Sequence, residues 1–202
     1  MNGKIVGVIL SGGHSRRFGE PKAFAKNNGI PFYQCSIKAM APKVDELVLV
    51  TNNELILKFR KEPISFQIFT DHPTYYGQGP LAGIWTTMEY VKAEWYCVLP
   101  IDVPMITSDI IGELIKYLHT DLNTEAVIPC VDGKLQPLIA IYHSSVKDKI
   151  KLQLDENRRS LHGLLEKLDY KLIPFESDLP FININYRSDY NQIFLKENFG
   201  GT

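Results

Sequence analysis

Apolar residues fall along this chain in short unbroken runs, separated by longer stretches in which they recur every three or four positions. The runs at residues 5–10, 46–50, 65–69, 96–99, 126–131 and 138–142 are too short for helices and mostly bounded by turn residues, so each predicts a strand. Between them Phe32, Tyr33, Ser36, Ile37 and Met40 repeat at helical spacing, as do Leu81, Ile84, Trp85, Met88 and Val91. A third set, Ile110, Ile111, Leu114, Ile115 and Leu118, follows Thr107, which reads as its N-cap. Alternating strands and helices predict an α/β domain of three layers, Rossmann-like, with a central and mostly parallel sheet. Ligands of such sheets sit beyond the carboxyl ends of the strands, near a switch in strand order. The ends to inspect are Leu10, Val50 before Thr51-Asn52-Asn53, Phe69 before Thr70-Asp71, and Leu99 before Pro100-Ile101-Asp102.

The first run discharges into Ser11-Gly12-Gly13-His14-Ser15-Arg16-Arg17-Phe18-Gly19-Glu20-Pro21-Lys22. Glycines at a strand end let the backbone approach a ligand, and their free N–H groups form an anion-binding concavity. Arg17 and Lys22 would add charge, the first as a planar fork and the second as a point charge. Neither the P-loop spacing nor the dinucleotide G-x-G-x-x-G spacing is present. An ordinary Gly-Gly turn followed by a solvated basic stretch is the simpler alternative. His14 and Arg16 read as loop-surface residues. Asp102 follows Trp95-Tyr96-Cys97-Val98-Leu99 and precedes Val103-Pro104, at the tip of a strand expected to be buried. A carboxylate there suits Mg²⁺, which nucleotide sites hold with one or two carboxylates, phosphates and waters; otherwise Asp102 caps a turn shaped by Pro104. Gly79-Pro80-Leu81-Ala82-Gly83 carries proline where a helix begins, which helix-start chemistry alone would also explain.

Read together, L-x-G-G-x-x-x-R-F-G-x-x-K from Leu10 to Lys22, Asp71, Gly79 to Gly83, and Asp102-Val103-Pro104 resemble the MobA-like nucleotidyltransferases, and within them the molybdenum cofactor guanylyltransferases. The resemblance runs from Leu10 to Asn185, with its specific motifs in the first half. It implies that the backbone around Leu10, Ser11, Gly12 and Gly13, with Lys22, Asp71, Gly79 and Asp102, binds the nucleotide, and that Asp102 holds Mg²⁺. Lys22, Arg17 and Asp102 then form the catalytic set. Asn183 and Asn185, in Phe181-Ile182-Asn183-Ile184-Asn185-Tyr186, would lie on the pterin side of the cleft. Alternation would turn both amides to one face if the segment is a strand; a turn before a terminal helix is the other reading. Ser11 stands where relatives often have alanine, and Glu20-Pro21 stiffens the loop before Lys22. The implied activity is Mg²⁺-dependent transfer of GMP from GTP to the terminal phosphate of molybdopterin, with release of pyrophosphate.

Composition narrows the alternatives. At 202 residues and 45% hydrophobic content, the chain predicts one nucleotidyltransferase domain over 1–202, with residues 1–105 binding nucleotide and 106–197 completing the sheet and the acceptor side. A formal net charge of −1 disfavours nucleic-acid and membrane partners, so GTP and molybdopterin are the expected ones, with transient contact to cofactor-synthesis or molybdoenzyme-maturation proteins. Cys35, Cys97 and Cys130 are far apart and without C-x-x-C spacing, which predicts buried reduced thiols and, with the short N-terminal apolar run, a cytoplasmic protein. A cytidylyltransferase using CTP and a non-catalytic pterin carrier remain the competing functions.

Overall fold

The computed structural model describes residues 3–12, 21–185 and 189. In chain order the elements are β1 (Ile5–Ser11), β2 (Lys26–Asn27), β3 (Ile30–Pro31), α1 (Phe32–Met40), β4 (Glu46–Thr51), α2 (Asn53–Phe59), β5 (Gln67–Thr70), α3 (Pro80–Tyr90) and β6 (Trp95–Pro100). They continue with α4 (Ser108–Ile115), β7 (Ala126–Val131), β8 (Lys134–Leu135), β9 (Ala140–His143), α5 (Lys147–Asp155), α6 (Leu161–Leu165) and β10 (Tyr170–Phe175). Among the described residues eight strands form one sheet in the order β10-β7-β9-β6-β1-β4-β5, with β8 paired to β7. Neighbours are parallel except where β9 enters between β6 and β7 and where β8 folds back on β7.

Helices cover both faces, which explains why the central strands are apolar without interruption. Val6 and Val8 of β1 join Val48, Val98, Leu81 and Ile84 in the core beneath α3 and α5. Ile5 and Ile9, one position out of phase, join Leu49, Leu99, Met40 and Ile111 beneath α1 and α4. Gly7 lets α1 settle onto the sheet: a Cβ there would lie 2.7 Å from Leu47 Cδ2 and 3.1 Å from Met40 Cε.

Local structure departs from the sequence reading in identifiable places. β5 starts at Gln67 rather than 65, and β9 at Ala140 rather than 138, because the Ile139 N–H closes a turn on the Gln136 carbonyl at 2.9 Å. Thr107 occupies the N-cap of α4 in extended backbone, but its hydroxyl makes no capping bond; Asp109 in the first turn complements the helix dipole. A side-chain cap of that kind occurs instead at Asn52, whose Oδ1 accepts from the Glu54 and Leu55 N–H groups and starts α2. β10 escaped prediction since Tyr170, Lys171 and Leu172 are all exposed on an edge strand, which leaves no alternation to read. Of the three free thiols only Cys97 is buried; Cys35 and Cys130 are partly exposed, lying nearer the margins of the packed layers.

Candidate active site

From β1 the chain passes to β4 and then β5 on one side, and afterwards crosses to β6 on the other. Strand order therefore reverses about β1, and a crevice opens beyond the carboxyl ends of β1, β4 and β6. A cleft of about 460 Å³ occupies this position. Leu10, Gly12 and Val50 form its floor, and Gly79 with Pro80 and Gly83 of α3 forms one wall. Ile101 and Asp102 border it after β6, with Leu138 and Asn183 beyond. Among the described residues a Cβ on Gly12 would meet nothing within 4 Å.

Lys22 reaches the cleft from a single 3₁₀ turn, Lys22–Phe24. Ala23 of that turn is fully buried, and the Phe24 ring packs 4.9 Å from Phe59 and 5.7 Å from Tyr33. Those contacts fix the turn to α1 and α2. The Lys22 Nζ lies 3.2 Å from Asp102 Oδ2 and 2.8 Å from Asn185 Oδ1. Asp102 projects where β6 ends: the Ile101 N–H still bonds the Leu10 carbonyl at 3.1 Å, and the Asp102 carbonyl accepts from the Ile184 N–H at 2.8 Å. The late segment is thus stitched by its backbone to the strand tip.

On the opposite wall Asp71 follows β5, and its Oδ2 accepts from the Gly77 N–H at 3.1 Å. Burial holds the Asp71 carboxyl above its ordinary pKa, with the Gly77 N–H acting in the opposite direction. Gly77 and Gly79 have φ of 71° and 79°, a region costly for any side chain, and Gly79 passes directly to Pro80 at the start of α3. One turn later, Gly83 lies so near the floor that a Cβ would be 2.8 Å from Leu10 Cδ2.

The sequence profile of the MobA-like NTP transferase domain matches residues 7–171. The chain belongs to this family. It is 38% identical over 194 residues to a Bacillus cereus protein described as a probable molybdenum cofactor guanylyltransferase, covering 94% of this chain and 95% of that one. A Bacillus anthracis protein of the same description is 36% identical over 193 residues, with the same coverage of both chains. Among solved structures, molybdopterin-guanine dinucleotide biosynthesis protein A from Archaeoglobus fulgidus superimposes with a TM-score of 0.79 at 22% identity, covering 96% of this chain and all of that one. The 2-C-methyl-D-erythritol 4-phosphate cytidylyltransferase of Thermus thermophilus shares the fold at a TM-score of 0.67 and 12% identity, over 95% of this chain and 98% of that one.

In this MobA-like chain the fold brings together most of the residues singled out from the sequence. Leu10, Gly12, Lys22, Asp71, Gly79, Asp102 and Asn183 border one cleft, and Asn185 joins it through Lys22. Ser11 is not among the residues that border it: the residue is 2% exposed, and its carbonyl accepts from the Thr51 hydroxyl at 3.2 Å. Gly13 and Arg17, with His14 and Arg16, lie outside the described residues. Asn183 and Asn185 are exposed on either side of fully buried Ile184, so the alternation holds although no strand forms there. The sequence reading missed Gly77, whose N–H orients Asp71; the Gly77-Gln78-Gly79 spacing was the available signal. Leu138, in the segment Leu135-Gln136-Pro137-Leu138 whose resemblance to the family is loose and implies no role, also borders the cleft.

A divalent metal is a general requirement of nucleotidyltransferases. Among the described residues no cluster of three or more His, Cys, Asp or Glu side chains is arranged to hold a metal ion. Asp102, one of two carboxylates bordering the cleft, fits instead an ion carried largely by substrate phosphates and waters. No helix among the described residues is long and apolar enough to cross a membrane.

Proposed function

We propose that this protein transfers GMP from GTP to the terminal phosphate of molybdopterin and releases pyrophosphate. A phosphate oxygen of the acceptor attacks the α-phosphorus as the bond to the β-phosphate bridging oxygen breaks, forming a new pyrophosphate linkage. The acceptor oxygen is already anionic, so no general base is needed. The observation that carries the reading is the convergence of Lys22, Asp71 and Asp102 on a cleft at the strand-order switch. The names of its relatives at 36–38% identity support it further.

The base would rest between Leu10, Val50 and the α3 wall, with Asp71 beside it. Lys22, and Arg17 five positions before it in the sequence, would neutralise the β- and γ-phosphates, so that charge accumulating on departing pyrophosphate meets cations. Mg²⁺ held by Asp102 would add charge neutralisation at the phosphates when bound. Asn183 would face the pterin side.

The deciding experiment measures pyrophosphate release by purified protein with molybdopterin and Mg²⁺, offering GTP, CTP and ATP in turn, with Asp102→Ala as control. Release with GTP alone, abolished in the variant, is the expected result. Release with CTP would turn the reading to a cytidylyltransferase. Silence with all three nucleotides, despite pterin binding, would favour a carrier.

A further inference from the structure

Lys22 and Asn185 are 163 positions apart, yet their contact at 2.8 Å is shorter than the ion pair between Lys22 and Asp102 at 3.2 Å. An ammonium carries only donors, so the Asn185 amide must turn its carbonyl oxygen, not its nitrogen, toward Lys22. The backbone that carries this amide is anchored from below. Ile184, fully buried, packs with Ala25 and Phe32 in a small core of its own, and its N–H is bonded to the Asp102 carbonyl. The Asn185 N–H donates to Asp189 Oδ2 at 2.9 Å. The Asn185 backbone is therefore held beside the strand tip that carries Asp102, with its side-chain amide in reach of Lys22.

The two oxygens differ in character. Asp102 Oδ2 is charged, and any cation entering the cleft competes with Lys22 for it. Asn185 Oδ1 is neutral and attracts such a cation far less, so it continues to hold the ammonium once Asp102 is engaged elsewhere. We infer that Asn185 is a positioning residue: its side-chain oxygen keeps the Lys22 ammonium in the cleft, aimed at the triphosphate. The inference rests on the reading of Lys22 as a phosphate-binding residue. It assigns Asn185 to the nucleotide half of the reaction, acting through Lys22.

A double-mutant cycle of Lys22→Ala and Asn185→Leu tests this, with calorimetric GTP binding in the absence of acceptor and steady-state turnover as separate readouts. Asn185→Leu is expected to weaken GTP binding and slow turnover by about tenfold each, the scale of one hydrogen bond to a charged group. In the Lys22→Ala background the same substitution should change neither by more than about twofold. Asn185→Asp, which keeps an oxygen in place, should retain GTP binding within about threefold of wild type. Losses that multiply in the double variant would overturn the inference, as would intact GTP binding in Asn185→Leu with a raised acceptor KM. Wild-type behaviour of Lys22→Ala would instead remove the phosphate role of Lys22, and the inference with it. Thermal unfolding checks that each variant folds, and Asn185→Ala replaces Asn185→Leu in the cycle if the latter does not.

Discussion

Adding one methyl group at Gly83 separates the stability of this fold from the shape of its cleft. The new Cβ would stand 2.8 Å from Leu10 Cδ2, 3.4 Å from Val50 Cγ1 and 3.7 Å from Asp71 Oδ1. Only the first is a clash, and the Leu10 methyl must retreat by about 0.7 Å to reach an ordinary carbon–carbon separation. Such a shift of a flexible side chain costs about 1 kcal/mol, offset by the roughly 1 kcal/mol that alanine gains over glycine inside a helix. Gly83→Ala should therefore unfold within about 3 °C of wild type. The space available to Leu10 is the cleft it borders, so the methyl intrudes where the base would lie. Overpacking of this size costs about 1–3 kcal/mol, which weakens GTP binding by a factor between about 5 and 140. Gly83→Val, extending toward Val50 and Asp71, should weaken it more than about a hundredfold. Differential scanning calorimetry and GTP titration of the same preparations supply both numbers. Wild-type GTP affinity in folded Gly83→Val would refute the assignment of this wall to the base.

Burial raises the Asp71 pKa above its ordinary 3.8, so the folded protein holds that proton more tightly than the unfolded chain. Ionised Asp71 therefore subtracts stability as pH rises from the ordinary carboxylate range through the raised value. Asp71→Asn should be more heat-stable than wild type at neutral pH and converge with it near about pH 4; a constant difference across that range would contradict the assignment. The Cys97 thiol is fully buried and pushed up to about 12, while burial also raises Cys35. Iodoacetamide should accordingly label Cys97 only on unfolding and the partly exposed Cys35 and Cys130 in the folded protein, as peptide mass mapping would reveal. Tyr96 donates to the Val91 carbonyl at 2.7 Å and accepts from the Ala93 N–H at 3.1 Å. Tyr96→Phe strands both groups and should cost about 1–3 kcal/mol, read as a fall in unfolding temperature of at least about 2 °C.

The elements nearest the site were legible because their signals are local. A continuous apolar run becomes a central strand wherever both sheet faces are covered, and β1, β4 and β6 carry such runs, each ending in small or polar residues. The glycine spacing after Leu10, the proline after Gly79 and the carboxylate after Pro100 each report a backbone need within a few positions. Edge elements were harder: β10 is exposed on most of its length, and no period distinguishes it from a loop.

The sequence by itself thus determined the alternation of strands and helices, the layered class, and which residues arrive at the strand ends. Only the tertiary structure decided which of those ends meet, since that depends on the crossover that sends β6 to the far side of β1. It joined Lys22 to Asp102 across 80 positions and to Asn185 across 163. Hydrogen bonds of that kind are set by the path of the whole chain, and no repeat or spacing along it encodes them.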